Sequence, residues 1–226
     1  MSTLRPTAAD PHRGQPVLER GRPLGAAAGV VILLHGRGAS ASDILGLADA
    51  LGERSLAYVA PQAAGGTWYP HSFLAPLRDN EPWLTSALAA IAALVGRADQ
   101  AGIPRSRVVV AGFSQGACLA TEFVARHASR YGGLIAFTGG LIGPMGTRFQ
   151  YQGDLGATPV FLGAGDPDPH VPWARVEESA SVLSGLGAAV TVRRYPGLGH
   201  AIDQDEIDEA RKIVSKLAGP DGDASR

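Results

Sequence analysis

Short apolar runs alternate with longer mixed runs along most of this chain. Gly29–Leu34 (GVVILL) has no polar position after its glycine. An apolar run without alternation predicts a strand covered on both faces. Leu56–Ala60, Arg107–Ala111, Leu134–Phe137, Pro159–Leu162 and Ala189–Tyr195 read as further strands. Between them, helical spacing predicts helices over Asp43–Gly52, Leu84–Ala101, Gln115–His127, Trp173–Leu186 and Asp203–Leu217. Ser40 or Ser42 can cap the first, Gly102 and Pro104 stop the second, and Gly187 ends the fourth. The last carries acids early and Arg211, Lys212 and Lys216 late, as the helix dipole favours.

Strand–helix alternation of this kind implies an α/β fold: a mostly parallel central sheet with helices on both faces. Functional groups then gather at the carboxyl ends of the strands. One domain is expected over residues 16–218, with no separate cap domain. Polar tails at 1–15 and 219–226 are expected to be poorly ordered. Two connections exceed simple turns. Residues 62–82 carry Trp68, Tyr69, Phe73 and Leu74, and residues 138–158 carry Leu141, Ile142 and Met145. Long connections in compact domains are usually functional or disordered, and the aromatic content argues against disorder.

Composition narrows the partners. The 226 residues are 45% hydrophobic and 18% charged, as in soluble globular domains. A net charge of −1 leaves no electrostatic footprint for nucleic acid or an acidic membrane surface. The Ala-rich run from Leu84 to Val95 falls short of the ~20 residues of a membrane span, and the first residues lack the apolar core of a signal peptide. The expectation is a cytoplasmic protein without a stable membrane anchor. The single cysteine, Cys118, excludes an internal disulfide and a thiolate metal cluster. A homodimer is the base-rate expectation for assembly.

The chemistry starts at Val108–Ala120 (VVVAGFSQGACLA). Gly112-Phe113-Ser114-Gln115-Gly116 fits G-x-S-x-G, with a strand before it and a helix after it. That context forces a serine outward at the top of a sheet, and glycines two before and two after it relieve the clash that a Cβ would cause. As an ordinary turn serine, Ser114 would need no partners; as a nucleophile it needs a base. Of six histidines, His200 (PGLGHA) lies after a strand, before the last helix and late in the chain, as the order serine, acid, histidine requires. His12 falls in the N-terminal tail, His127 in a helix C-terminal turn, and His71 in the aromatic loop, within reach of a substrate. The acid belongs between serine and histidine at a strand end. Gly165-Asp166-Pro167-Asp168 offers Asp166 and Asp168, and spacing does not choose between them. An oxyanion needs two backbone N–H donors. Gln115 supplies one from the helix start, and Arg37 in Gly36-Arg37-Gly38 supplies the other through its N–H rather than its guanidinium. Cys118, one helical turn after Ser114, reads as a buried, inert thiol.

Leu33-Leu34-His35-Gly36-Arg37-Gly38, Gly112-Phe113-Ser114-Gln115-Gly116, Gly165-Asp166-Pro167-Asp168-Pro169-His170-Val171-Pro172 and Gly199-His200 together resemble the carboxylesterase/phospholipase branch of the α/β-hydrolases, which includes the acyl-protein thioesterases. The resemblance covers roughly residues 17–217. It implies Asp168 as the acid, with Ser114 as nucleophile, His200 as base, and the Arg37 and Gln115 N–H groups as oxyanion hole. It also implies hydrolysis of a small carboxylic ester of short or medium acyl chain through an acyl-enzyme, with no cofactor or metal. Thioesterase or lysophospholipase activity would use the same residues. A non-catalytic binding protein would be expected to have lost a triad member, and none is lost. A dinucleotide-binding enzyme is excluded because the first strong strand is not followed by G-x-G-x-x-G. Two departures from the family pattern stand out. Arg37 and Ala39 replace the leucine and acidic residue often found there, and Trp68–Pro82 differs from the corresponding thioesterase loop. Trp68, Tyr69, Phe73, Leu74, Leu141, Ile142 and Met145 are expected to form the acyl pocket from their placement in the two long loops.

Overall fold

The computed structural model describes residues 9–218. Seven strands form one sheet in the order β1-β3-β2-β4-β5-β6-β7. They are β1 (Val17–Gly21), β2 (Val30–Leu34), β3 (Ala57–Pro61), β4 (Val108–Phe113), β5 (Gly133–Phe137), β6 (Pro159–Asp166) and β7 (Ala189–Pro196). Strands β2 to β7 run parallel, and β1 joins β3 antiparallel at one edge. Every residue of β2, β3 and β5 is buried, which is the physical basis of their unbroken apolar runs.

Helices cover both faces. On one side α3 (Trp83–Gln100), α4 (Gln115–Arg126) and α5 (Trp173–Gly185) pack over alternate strand residues such as Ile32, Val110 and Leu134. On the other, α1 (Ala41–Ile44), α2 (Gly46–Leu51) and α6 (Gln204–Val214) cover Val31, Leu33, Ala111 and Ile135. The expected first helix is two short ones, α1 and α2. Ser40 caps the first with a hydrogen bond from the Asp43 N–H (3.2 Å), and Gly52 ends the second in a left-handed conformation.

The N-terminal boundary differs from expectation. Residues 9–15 fold onto the body instead of forming a loose tail. His12 is buried between Trp68 and Trp83, its Nε2 donating to the Trp68 carbonyl (2.9 Å) and its Nδ1 accepting from the Ala64 N–H (3.1 Å). The imidazole, bonded at both nitrogens, anchors the segment together with Ser86 Oγ, which accepts from the His12 N–H (3.0 Å) and donates to Asp10 (2.5 Å); none of these bonds has a periodic signature. The remainder of the expected tails, residues 1–8 and 219–226, lies outside the described residues.

Helix α6, which follows the His200 loop, begins with a capping box. The Glu206 N–H donates to Asp203 Oδ1 and the Asp203 N–H to Glu206 Oε2, both at 3.0 Å. Glu206 is fully buried, and its Oε1 has no partner among the described residues. Burial, with Asp203 and Asp205 adding to it, pushes the Glu206 carboxyl up to about 7. The folded state therefore keeps a proton that the unfolded chain releases near pH 4.3. The corresponding stability is complete below that pH and is lost as pH rises through 7. Glu206→Gln, neutral throughout, is expected to be more stable than wild type at pH 8 by on the order of 2 kcal/mol, with the advantage vanishing near pH 4. Thermal melts across that range measure it.

Candidate active site

The strands deliver the sequence-selected residues to one edge of the sheet. Ser114 follows β4, Asp168 follows β6, His200 follows β7, and Gly36–Gly38 follows β2. Ser114 sits at φ 56° and ψ −119°, an unfavourable region for a residue with a Cβ. The strain is held from both sides. The Ser114 N–H donates to the Phe137 carbonyl (2.9 Å), and its carbonyl accepts from the Cys118 N–H (3.0 Å). Helix α4 then starts at once and is buried from Gln115 to Ala125.

Two glycines make this start possible. A Cβ on Gly112 would lie 2.5 Å from the backbone of Gly116. One on Gly116 would lie 2.1 Å from the Leu34 carbonyl oxygen and 2.6 Å from that of His35. Gly36 passes beside the serine, since a Cβ there would lie 3.5 Å from that of Ser114. Gly165 does the same between the loops holding Asp168 and His200: a Cβ would lie 2.0 Å from the Gly199 carbonyl oxygen.

The side chains form a continuous hydrogen-bonded chain. Ser114 Oγ is 2.8 Å from His200 Nε2, and His200 Nδ1 is 2.7 Å from Asp168 Oδ2. The Asp168 carboxylate is fully buried, and its Oδ1 accepts from the N–H groups of His170 (2.7 Å) and Val171 (2.8 Å). Three donors thus fix the orientation of the buried carboxylate. The carboxylate in turn favours the tautomer of His200 with its proton on Nδ1, leaving Nε2 free to accept from the serine. Asp166, the alternative left open by spacing, points away and pairs with Arg194 at the surface.

A cavity of about 470 Å³ opens over Ser114. Tyr69 and Phe73 line it, as expected for the acyl pocket. Trp68, Leu74, Leu141, Ile142 and Met145 are not among its lining residues. Trp68 is buried beneath it, its indole N–H donating to the His35 carbonyl (2.9 Å). Leu141 and Ile142 are turned into the core because their N–H groups are held by Ser179 Oγ (2.9 Å) and Glu122 Oε2 (3.0 Å). Leu74 packs partly buried against the same core, and Met145 is 52% exposed beside Arg175. The rest of the wall is more polar than expected: Arg37, His71, Ser72 and His170 line it with Phe113 and Val171. His170 meets His200 edge-on at 4.8 Å between ring centres. Its position two residues after Asp168 was the available signal for it.

Cys118 reaches the cavity floor yet is buried. Burial pushes its thiol up to about 12, so it stays protonated at neutral pH. His35, beside the Gly36–Gly38 loop, is also buried. Its Nδ1 donates to the Gly36 carbonyl (2.8 Å) and its Nε2 accepts from the Ala63 N–H (3.1 Å). Burial lowers its pKa and keeps it neutral, which suits a role in holding the turn.

Residues 22–218 match the phospholipase/carboxylesterase family. The chain belongs to that family. A crystal structure of a phospholipase/carboxylesterase from Dyadobacter fermentans is 43% identical over 95% of this chain and 99% of that one, with a TM-score of 0.86. Acyl-protein thioesterase 1 from Gibberella zeae is 31% identical over 56% of this chain, a match spanning only 55% of that protein's length. Acyl-protein thioesterase 1 homolog 1 from Dictyostelium discoideum is 27% identical over 82% of this chain and 89% of that protein. The two stretches expected to depart from the family pattern are in contact, the Arg37 guanidinium donating to the carbonyls of Tyr69, Pro70 and His71.

Gly116→Ala tests the elbow packing. The methyl would overlap two backbone carbonyls that cannot move independently of the sheet. A loss of more than about 3 kcal/mol in urea denaturation is expected, far above the usual cost of a surface substitution.

Proposed function

We propose that this protein is a carboxylesterase-type serine hydrolase that cleaves small esters of short to medium acyl chain through an acyl-enzyme. The observation that carries this reading is the Ser114–His200–Asp168 chain, with contacts of 2.8 and 2.7 Å, at the floor of an open cavity. In this reading Ser114 Oγ attacks the ester carbonyl carbon as His200 Nε2 takes its proton. The carbonyl oxygen becomes an oxyanion facing the N–H groups of Arg37 and Gln115. Asp168 stabilises the imidazolium without taking its proton. The imidazolium then protonates the departing alkoxide, leaving an acyl group on Ser114. Water, deprotonated by the same Nε2, attacks the acyl-enzyme; the intermediate then expels Ser114 Oγ, which takes the proton back from the imidazolium as the acid leaves.

The make-up of the wall supports the shorter-chain reading. The apolar side chains best suited to a long acyl channel, Trp68, Leu141 and Ile142, fill the core, while His71, Ser72 and His170 face the cavity. Thioester cleavage is the second reading, favoured by the likeness to proteins named acyl-protein thioesterases, and it would use the same residues.

A fluorophosphonate probe is expected to label wild type and to leave Ser114→Ala unlabelled; labelling that persists in the variant would falsify the nucleophile assignment. Asp168→Asn is expected to lower kcat by about 10⁴-fold, as loss of the orienting carboxylate does in such triads. In a series of nitrophenyl esters, kcat/KM should peak at acetate to hexanoate and fall for palmitate. A higher rate on palmitoyl-CoA than on every short ester would transfer the assignment to the thioesterase reading.

A further inference from the structure

Three side chains outside the proposed proton relay converge on one backbone oxygen. The Tyr69 carbonyl accepts from Arg37 Nη2 (2.9 Å), Gln115 Nε2 (2.8 Å) and Thr67 Oγ1 (3.0 Å). Arg37 also donates to the carbonyls of Pro70 (2.9 Å) and His71 (2.7 Å), so its three hydrogen-bond partners are all carbonyl oxygens of one loop. Gln115 Oε1 accepts in turn from the Trp68 N–H (2.9 Å) and lies 3.2 Å from Thr67 Oγ1, whose one proton is shared between it and the Tyr69 carbonyl. The Gly38 N–H closes the arrangement on the Gly66 carbonyl (2.8 Å).

Arg37 and Gln115 stand on separate elements. Gln115 opens a buried helix, which fixes its backbone. Arg37 lies between Gly36 and Gly38, the latter at φ 77°, where the main chain has little intrinsic stiffness. Its N–H is placed by the bonds on either side of it, from His35 Nδ1 to the Gly36 carbonyl and from the Gly38 N–H to Gly66, and, toward the 69–71 loop, by the grip of its own side chain. A planar guanidinium suits that task, since its rigid fork can serve several carbonyls at once.

We propose that Arg37 and Gln115, joined through the Tyr69 carbonyl, form a bracket that sets the separation of the two oxyanion-binding N–H groups. This makes the Arg37 side chain a positioning residue for the transition state. The inference rests on the reading in which those two N–H groups receive the oxyanion. Oxyanion stabilisation depends on donors fixed in advance, and small misplacements are costly. The bracket acts through the two N–H groups that meet the oxyanion in the transition state, so its loss falls on kcat more than on KM.

Arg37→Met, Gln115→Leu and the double variant test this against wild type and Arg37→Lys. Arg37→Met is expected to lower kcat on a short nitrophenyl ester by about 10- to 100-fold, with KM changed less than threefold. Affinity for a trifluoromethyl ketone, which forms a tetrahedral oxyanion on a serine nucleophile, should fall by the same factor as kcat/KM. Arg37→Lys should recover only part of the loss, because one ammonium cannot span three carbonyls. The double variant should lose less than the product of the two single losses, since both act on one oxygen. Unchanged kcat and ketone affinity in Arg37→Met, or fully multiplicative losses in the double variant, would overturn the bracket while leaving wild-type esterase activity in place. Absence of hydrolysis and of Ser114 labelling in wild type would instead remove the underlying reading. If Arg37→Met melts well below wild type, the same comparisons on Arg37→Lys decide.

Discussion

Helix α4 begins within contact distance of two strands, and the site depends on that approach. No side chain larger than hydrogen fits at Gly112 or Gly116, where an added Cβ would meet backbone at 2.5 and 2.1 Å. The approach leaves one residue to reverse direction between strand and helix, and Ser114 does so at positive φ. Such a conformation costs about 1–3 kcal/mol. The buried helix and the hydrogen bonds on either side of the serine offset it. The hydroxyl is pushed outward as a result, and the first N–H of the helix is presented beside it. Fold stability and the proposed chemistry are thus coupled at two glycines.

Much of the architecture is legible in the sequence because it follows local pattern. Strands buried on both faces leave unbroken apolar runs, and β2 to β5 appear within a residue or two of their expected bounds. Strand β1 escapes because its VLERG segment is mostly exposed and lies at an edge, where little hydrophobic signal is required. Strand β6 runs four residues past its apolar stretch, since Gly163, Ala164 and Gly165 continue the ladder with β7 while offering little side chain. The first helix divides at Leu45, immediately before Gly46, a single glycine inside a helical pattern that the spacing of apolar residues runs straight through.

The site divides in the same way. Ser114, Asp168 and His200 carry strong motif signals, and the structure brings their side chains together. Choosing Asp168 over Asp166 required the family resemblance, because both stand near the end of one strand. The cavity wall was far less legible. Its form depends on single side chains reaching across the chain: His12 to Trp68, Arg37 to residues 69–71, Glu122 to Ile142 and Tyr151, Arg175 to Leu141 and Pro144. Each decides whether a loop residue faces the cavity or the core, and none has a periodicity to betray it. Apolar loop residues were expected to meet substrate, but several are more favourably buried once their backbone groups are held from below.

Cys118 adds a consequence of a different kind. It sits one helical turn from Ser114 and borders the same cavity, so oxidising or alkylating it would add bulk where a substrate enters. Both reactions proceed through the thiolate, and burial withholds that form by raising the thiol to about 12. A sulfur next to the reacting centre is thereby chemically silent. Peroxide or an alkylating agent that would meet a thiolate on an exposed cysteine in the same place meets a protonated thiol here.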